Sequence, residues 1–506
     1  MTSPITGPEV DARRWQELGR RGSHAALQLA VRSVVLRGLS FIGTIVLARL
    51  LAPADFGVYG IVAFVVSVWA ALGDLGLGAA LVQQADEPTP EQLRTVWTVQ
   101  QGLALAAVVI VWLAAPAAVA IMPGLPSETT SMLRVLSLGL LMSSLRTLPV
   151  VMMERELRFG PLAAAEIVQM VTFYAVAVGL AIGGAGAWAF VLAGVAQLAT
   201  GTAIVNLAWR RWPSVGIDRG CLAKLLGFGF DYQASVLLVT LRDAPLPALV
   251  GLVSGTVAAG LIQFAVRIAL TVASIDETLA RIAFPAFSRL QGHRHEQARA
   301  LDTAILMTGL IVIPAQCWIA AVAPILVPVV FGSQWAEAVV PVQIICLATL
   351  LRFPARYLRQ AEFAEGESRR ALAMSFVTTL VALVSFAVGL IGWGLPGAAV
   401  GFLVGALLGL GASAWLAWEL LQLSWRPFGL LLAAGLGAAG AAALTVLCVS
   451  QWLRPMGSAA GSLWPNLVAT VLATLVFGAA CFTLLYLTSR PVLLMGRRWA
   501  ARSVRG

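Results

Sequence analysis

Charge is scarce in this 506-residue chain: Asp, Glu, Lys and Arg make up 11% of it, where a soluble globular domain carries about a quarter. That shortage excludes an ordinary soluble globule. Lysine occurs once, as Lys224 in Cys-Leu-Ala-Lys-Leu-Leu, so the glycine-rich phosphate loop with its lysine has no place here and the chain encodes no ATPase. The three histidines, His24, His293 and His295, sit at the edge of an apolar run or in a loop. A membrane polymerase or ligase would need a large extracytoplasmic loop or clustered acids or histidines, and this chain supplies neither. Cys221, Cys317, Cys346, Cys448 and Cys481 fall within or at the ends of apolar runs without metal-ligand spacing. They read as small buried residues, and no metal or other cofactor is expected.

What the chain has instead is apolar length: 59% of its residues are hydrophobic. A span needs roughly 17 to 25 mainly apolar residues. Walking the chain with that rule predicts an all-α polytopic membrane protein with about fourteen transmembrane helices. The first six run at Ala25 to Leu51, Phe56 to Leu75, Leu93 to Val119, Thr130 to Met152, Leu162 to Ile182 and Trp188 to Ala208. Six more follow at Cys221 to Val253, Ala258 to Phe284, Ala304 to Val327, Glu337 to Leu358, Ala371 to Trp393 and Gly397 to Leu420. Phe428 to Val449 and Pro465 to Leu487 are the last two. The expected organisation is a six-helix lobe over 1–212, a second over 213–424, and two additional helices with a basic tail over 425–506. The polar start and long first apolar run do not resemble a cleavable signal peptide.

Arginines crowd alternate connections, including Arg94, Arg155, Arg158, Arg210, Arg211, Arg219, Arg289, Arg369 and Arg370. Cytoplasmic loops carry such an excess, which places both termini in the cytoplasm. The net charge of +10 is this topological bias, and no nucleic-acid partner is expected.

Eight arginines lie inside apolar stretches: Arg32, Arg37, Arg146, Arg242, Arg267, Arg281, Arg352 and Arg356. A guanidinium at a bilayer centre costs at least about 2.5 to 3.5 kcal/mol, so such residues face protein or a water-filled path. They suggest a cavity for a negatively charged ligand. Arg37, Arg242 and Arg267 lie deepest, whereas Arg32, Arg146, Arg281, Arg352 and Arg356 are within snorkelling reach of the inner face. Gln263, Arg267, Thr271, Ser274, Glu277 or Thr278, and then Arg281 recur at steps of three or four and share a helix face. Arg267 is the best single candidate for gripping a diphosphate, which a planar guanidinium contacts bidentately. The bland reading is a pair with an acid on a neighbouring helix. Arg242 and Asp243 are adjacent, pair poorly on a helix, and so each needs a partner elsewhere, Arg267 being one candidate for Asp243. Pro245 and Pro247 break the helix beside them. Asp243, with Asp74 and Glu166 behind it, is the candidate for ion coupling. Arg352, Arg356 and Arg359 form a cationic ridge read as close to the inner surface, fit either for anchoring or for substrate entry.

The halves repeat weakly. Leu145-Arg146 with Pro149 matches Leu351-Arg352 with Pro354, and Gly57 and Asp74 lie as far apart as Gly260 and Glu277. Six spans per unit would make the repeats parallel, around a central cleft.

LARLLAPADFG (Leu47 to Gly57), DLGLGAALVQ (Asp74 to Gln83), ERELRFGPLAAAE (Glu154 to Glu166), LLGFGF (Leu225 to Phe230), FPAFSRLQ (Phe284 to Gln291) and VFGSQW (Val330 to Trp335) resemble the polysaccharide transporter family. That family belongs to the multidrug, oligosaccharidyl-lipid and polysaccharide exporter superfamily, and the likeness covers about Ala25 to Leu420. The resemblance implies two six-helix lobes facing a cationic cavity and two extra helices. It also implies a flippase moving a polyprenyl-diphosphate-linked oligosaccharide across a bacterial inner membrane, working among membrane lipids and alongside polymerase or glycosyltransferase machinery. The sequence departs from the family in one place: relatives usually carry Asn-Leu-Asp-Asn late in span seven, where this chain has Leu241-Arg242-Asp243-Ala244. The alternatives are a multidrug or cation antiporter of the same superfamily, which would favour acids over arginines in its cavity, and a membrane-embedded glycan polymerase or ligase.

Overall fold

The computed structural model of the chain describes residues 36–421, apart from 74, 84–86, 123, 157, 212, 290–293 and 365–367, together with 437 and 440. The spans expected at Phe428 to Val449 and Pro465 to Leu487 lie outside the described residues, as do Arg32 and Asp74.

Every described element is helical, as membrane spans must be when lipid offers the backbone no hydrogen bonds. The first group comprises α1 (36–50), α2 (Pro53–Gly73), the short α3 (Leu77–Gln83), α4 (Pro90–Ile121), α5 (Thr129–Arg155), α6 (Phe159–Ile182) and α7 (Trp188–Trp209). The second comprises α8 (Arg219–Asp243), α9 (Leu246–Arg289), α10 (Arg294–Leu326), a π turn (Val327–Phe331), a 3-10 turn (Ser333–Ala338), α11 (Val339–Ala364) and α12 (Ser368–Leu421). Among the described residues, nine helical stretches are long and apolar enough to cross a membrane.

Two of these stretches hide a reversal. α9 breaks at Gly255 (φ 84°), where a left-handed backbone suits glycine, and Gly251 returns against Ala259. α12 breaks at Trp393 and Gly394. Its halves then run antiparallel, with Gly397, Gly401 and Gly405 against Gly389, Ser385 and Ala382. Small residues every fourth position let the backbones touch, the usual way for helices to associate where lipid is as apolar as leucine. With both reversals counted, each of the twelve expected spans from Ala25 to Leu420 contains a helix.

Local chemistry fixes the ends. Thr89 and Gln92 form a reciprocal capping box before α4, with Pro90 in its first turn. Asp218 caps α8 through Cys221 N at 2.7 Å. The segment before it is tied to α4, Gly216 N donating to Thr98 Oγ1 and Asp218 N to Thr95 Oγ1, both at 3.0 Å. The first half of α8 therefore packs on the first group: Leu225 joins Leu77, Leu81, Val96 and Leu148 in one cluster, and Gln233 donates to Ala71 O.

At the opposite end the groups are latched. Gly57 of α2 and Gly260 of α9 meet at a crossing so close that a Cβ on either would collide with backbone atoms, Thr256 O and Pro53 O respectively. Beside this crossing, Trp335 is fully buried, stacks on Phe264 at 4.3 Å, meets Phe56 edge-on at 4.9 Å and donates to Ala48 O at 2.9 Å. Gln334 donates to Ala48 O at 2.6 Å, and Arg49 reaches the carbonyls of Val329 and Val330. The segments Leu47 to Gly57 and Val330 to Trp335, separate motifs in the sequence, are thus one structure.

Candidate functional site

Between the two groups, Arg267 of α9 donates to the Tyr174 hydroxyl of α6 at 2.9 Å, and that hydroxyl bonds the Ser40 carbonyl and hydroxyl of α1 at 3.0 Å each. The helix positions these groups. Ala265, Ile268 and Ala269 bury one face of α9, Gln263 abuts Gly60 of α2, and Arg267 emerges on the polar face about 18 Å from the break at Gly255 at 1.5 Å per residue. Tyr59 of α2 lies within electrostatic reach of Arg267 and Tyr174. Arg37 is one turn from Ser40 on the same α1 face. The bland expectation for Arg267 was an acid on a neighbouring helix; its partner is a neutral phenol, and among the described residues Arg267 makes no ion pair.

The second cluster lies wholly within the second group. Asp243 receives Arg352 Nη2 of α11 on both oxygens, at 3.0 and 2.8 Å, and Arg242 Nη2 at 3.1 Å. The expectation that neighbours 242 and 243 would pair poorly is corrected: both lie in the last turn of α8, and the long Arg242 side chain still reaches the Asp243 carboxylate that Arg352 also holds. The cross-helix arginine is Arg352, and Arg267 plays no part. Arg352 stands near the middle of α11. It sits about 20 Å along α11 from Val339 at 1.5 Å per residue, with 17% of its side chain exposed and its guanidinium 5.0 Å from the Phe402 ring. One turn on, Arg356 pairs with Asp276 of α9 at 3.2 Å, Asp276 being 1% exposed. Two of the three arginines of the ridge, Arg352 and Arg356, are therefore held by acids inside the protein.

These residues border two hollows. Arg242, Asp243, Arg352, Arg359, Thr378 and Phe402, with a wall of small residues, line an open cleft of about 520 Å³. Trp69, Gln100, Ser143, Ser144 and Thr147 line another of about 370 Å³ between α2, α4 and α5, with no charged side chain among the described residues of its lining. Arg146, half-buried on α5, is not among them, and Glu166 is exposed on α6. The Glu277 and Arg281 side chains lie outside the described residues. Among the described residues, Arg267 thus contacts α6 of the first group, whereas Arg242 and Arg352 are joined within the second. Tyr174 and Asp276 escaped sequence reasoning. A tyrosine hydroxyl within an apolar span needs a partner, and Asp276 continues the apolar stripe of Ala265 and Ala269, where an acid requires a buried cation.

Fold and site together define a polytopic, two-group helical membrane protein of the transporter class. The family described as "Polysaccharide biosynthesis protein" matches residues 46–340, more than half of the chain, and the chain belongs to that family. It is 23% identical over 389 residues to an uncharacterized membrane protein in the cps region of Klebsiella pneumoniae, covering 74% of this chain and 78% of that one. It is 26% identical over 307 residues to the succinoglycan biosynthesis transport protein ExoT of Rhizobium meliloti, covering 60% of each. Among solved structures, the lipid II flippase MurJ in an inward closed conformation superposes with a TM-score of 0.69 at 12% identity, over 91% of this chain and all of that one. That likeness is one of fold.

Proposed function

We propose that the chain is a flippase for a polyprenyl-diphosphate-linked oligosaccharide, moving it from the cytoplasmic to the outer leaflet of a bacterial inner membrane by alternating access for exopolysaccharide, capsule or O-antigen synthesis. The named functions of its relatives, polysaccharide transport and lipid II flipping, support this reading. The observation that carries it is Arg267: a half-buried guanidinium at the junction of the groups, held by a neutral hydroxyl of the opposite group. Among the described residues no carboxylate pairs with it, so its charge can meet a diphosphate, and Arg37 one turn from Ser40 is the second cation. Both termini face the cytoplasm in this reading and the latched end is the outer one, so the described form is closed outward. Rocking of the groups would break the Gly57–Gly260 crossing and the Trp335 contacts while carrying the headgroup across. Membrane lipids and glycan-assembling enzymes are its expected partners; catalysis by the chain itself is not part of the proposal.

The experiment is flipping of a fluorescent short-chain prenyl-diphosphate oligosaccharide by the purified chain in proteoliposomes. Arg267→Gln should slow it at least tenfold, and Tyr174→Phe several-fold. Undiminished flipping by a correctly folded Arg267→Gln protein would remove the headgroup role.

A further inference from the structure

The cleft in the second group has a charge and a donor set that its own residues leave unfilled. Arg242 and Arg352 carry two positive charges against the one negative charge of Asp243, to which both are bonded. A guanidinium has five N–H donors. Arg352 spends only its Nη2 nitrogen on Asp243, and among the described residues its Nε and Nη1 make no hydrogen bond; the Nη1 of Arg242 is likewise unused. These nitrogens border a cleft open to its surroundings, whose empty space with the adjoining open solvent is about 520 Å³. The opposite wall is Ala355, Ala382, Gly405, Ala406 and Gly409, whose small size makes that room. Phe402 lies against the Arg352 guanidinium and fixes its plane. Every lining residue belongs to α8, α9, α11 or α12, and neither Arg267 nor any residue of the first group reaches it.

We infer that this cleft is a second anion site, distinct from the one at Arg267, which takes a carboxylate of an acidic sugar alongside Asp243. The Asp243 carboxylate, spanning two guanidiniums, displays the chemistry the site accepts, and one further carboxylate neutralises the surplus charge of the trio. The inference rests on the flippase reading and deepens it: the glycan carried would be acidic, its diphosphate at Arg267 and its carboxylate at Arg352.

The test is calorimetric binding, to the full chain in lipid nanodiscs, of two short-chain prenyl-diphosphate disaccharides, one ending in glucuronate and one in glucose. The wild type should bind the acidic probe about tenfold more tightly. Arg352→Gln should abolish that preference while changing the affinity for the neutral probe less than twofold. Asp243→Asn, which removes the competing negative charge, should enlarge the preference several-fold, a gain that misfolding cannot mimic. Arg267→Gln should weaken both probes equally and keep the preference. Equal binding of the two probes to the wild type, a preference that survives Arg352→Gln, or equal weakening of both probes by that variant would each overturn the second site and leave the flippase reading standing. If neither probe binds the wild type, both readings fall together.

Discussion

α5 and α11 start from nearly the same words and end in different electrostatic circumstances. Each carries Leu-Arg followed by a proline, Arg146 with Pro149 and Arg352 with Pro354. On α5 the residues beside Arg146 in the chain, Ser143, Ser144 and Thr147, border a hollow, and Ser144 donates to Gln101 at 2.9 Å. Around Arg352 stand Asp243, Arg242 and Phe402, and one turn on Arg356 finds Asp276. Among the described residues the two helices thus differ in their polar work: neutral hydroxyls and an amide at α5, ion pairs at α11. The lesson is that a cation in an apolar run has no meaning until its neighbours on other helices are known.

The contrast can be broken by substitution, with effects graded by how much charge each change strands. Asp276→Ala should have the largest effect: it leaves Arg356 beside an emptied, 1%-exposed position, and breaking a buried pair by removing one partner costs about 3–5 kcal/mol. Thermal unfolding in detergent would show this as a large fall in melting temperature, which pairing Asp276→Leu with Arg356→Met should largely restore. Arg352→Leu follows, at about 1.5–3 kcal/mol, the worth of a hydrogen bond to a charged group, because Asp243 then keeps only Arg242. In the first group, Ser144→Ala should cost about 1 kcal/mol, a typical neutral hydrogen bond. Arg146→Leu is the sharpest discriminator: with no acid to strand among the described residues, it should lie within about 0.5 kcal/mol of the wild type. A loss there equal to that of Arg352→Leu would show that the two helices do not differ as described.

Much of the fold was legible. Apolar length locates the spans, and Gly255 and Gly394 fall in the short connections where reversals were expected, with Trp393 closing the span before the second. Arg267 was legible as the residue to watch, because a polar stripe at helical spacing surrounds it. Its partner was not, since Tyr174 lies 93 residues away and nothing in a single sequence couples the two positions. The counter-charge of Arg352 was not legible either, because Asp243 lies 109 residues earlier in the chain. Arg242 and Asp243 were judged by the angular spacing of adjacent helix positions, which the length of the arginine side chain overcomes in the last turn of α8.

The sequence by itself determined that this is a polytopic helical membrane protein with cations in its spans, because lipid demands long apolar segments with their backbones satisfied internally, and that demand is local. Only the tertiary structure decided which cations are spent and which are available. The energy of a charge in a low-dielectric interior is set by what stands within a few ångströms of it, and here those neighbours come from helices far apart in the chain.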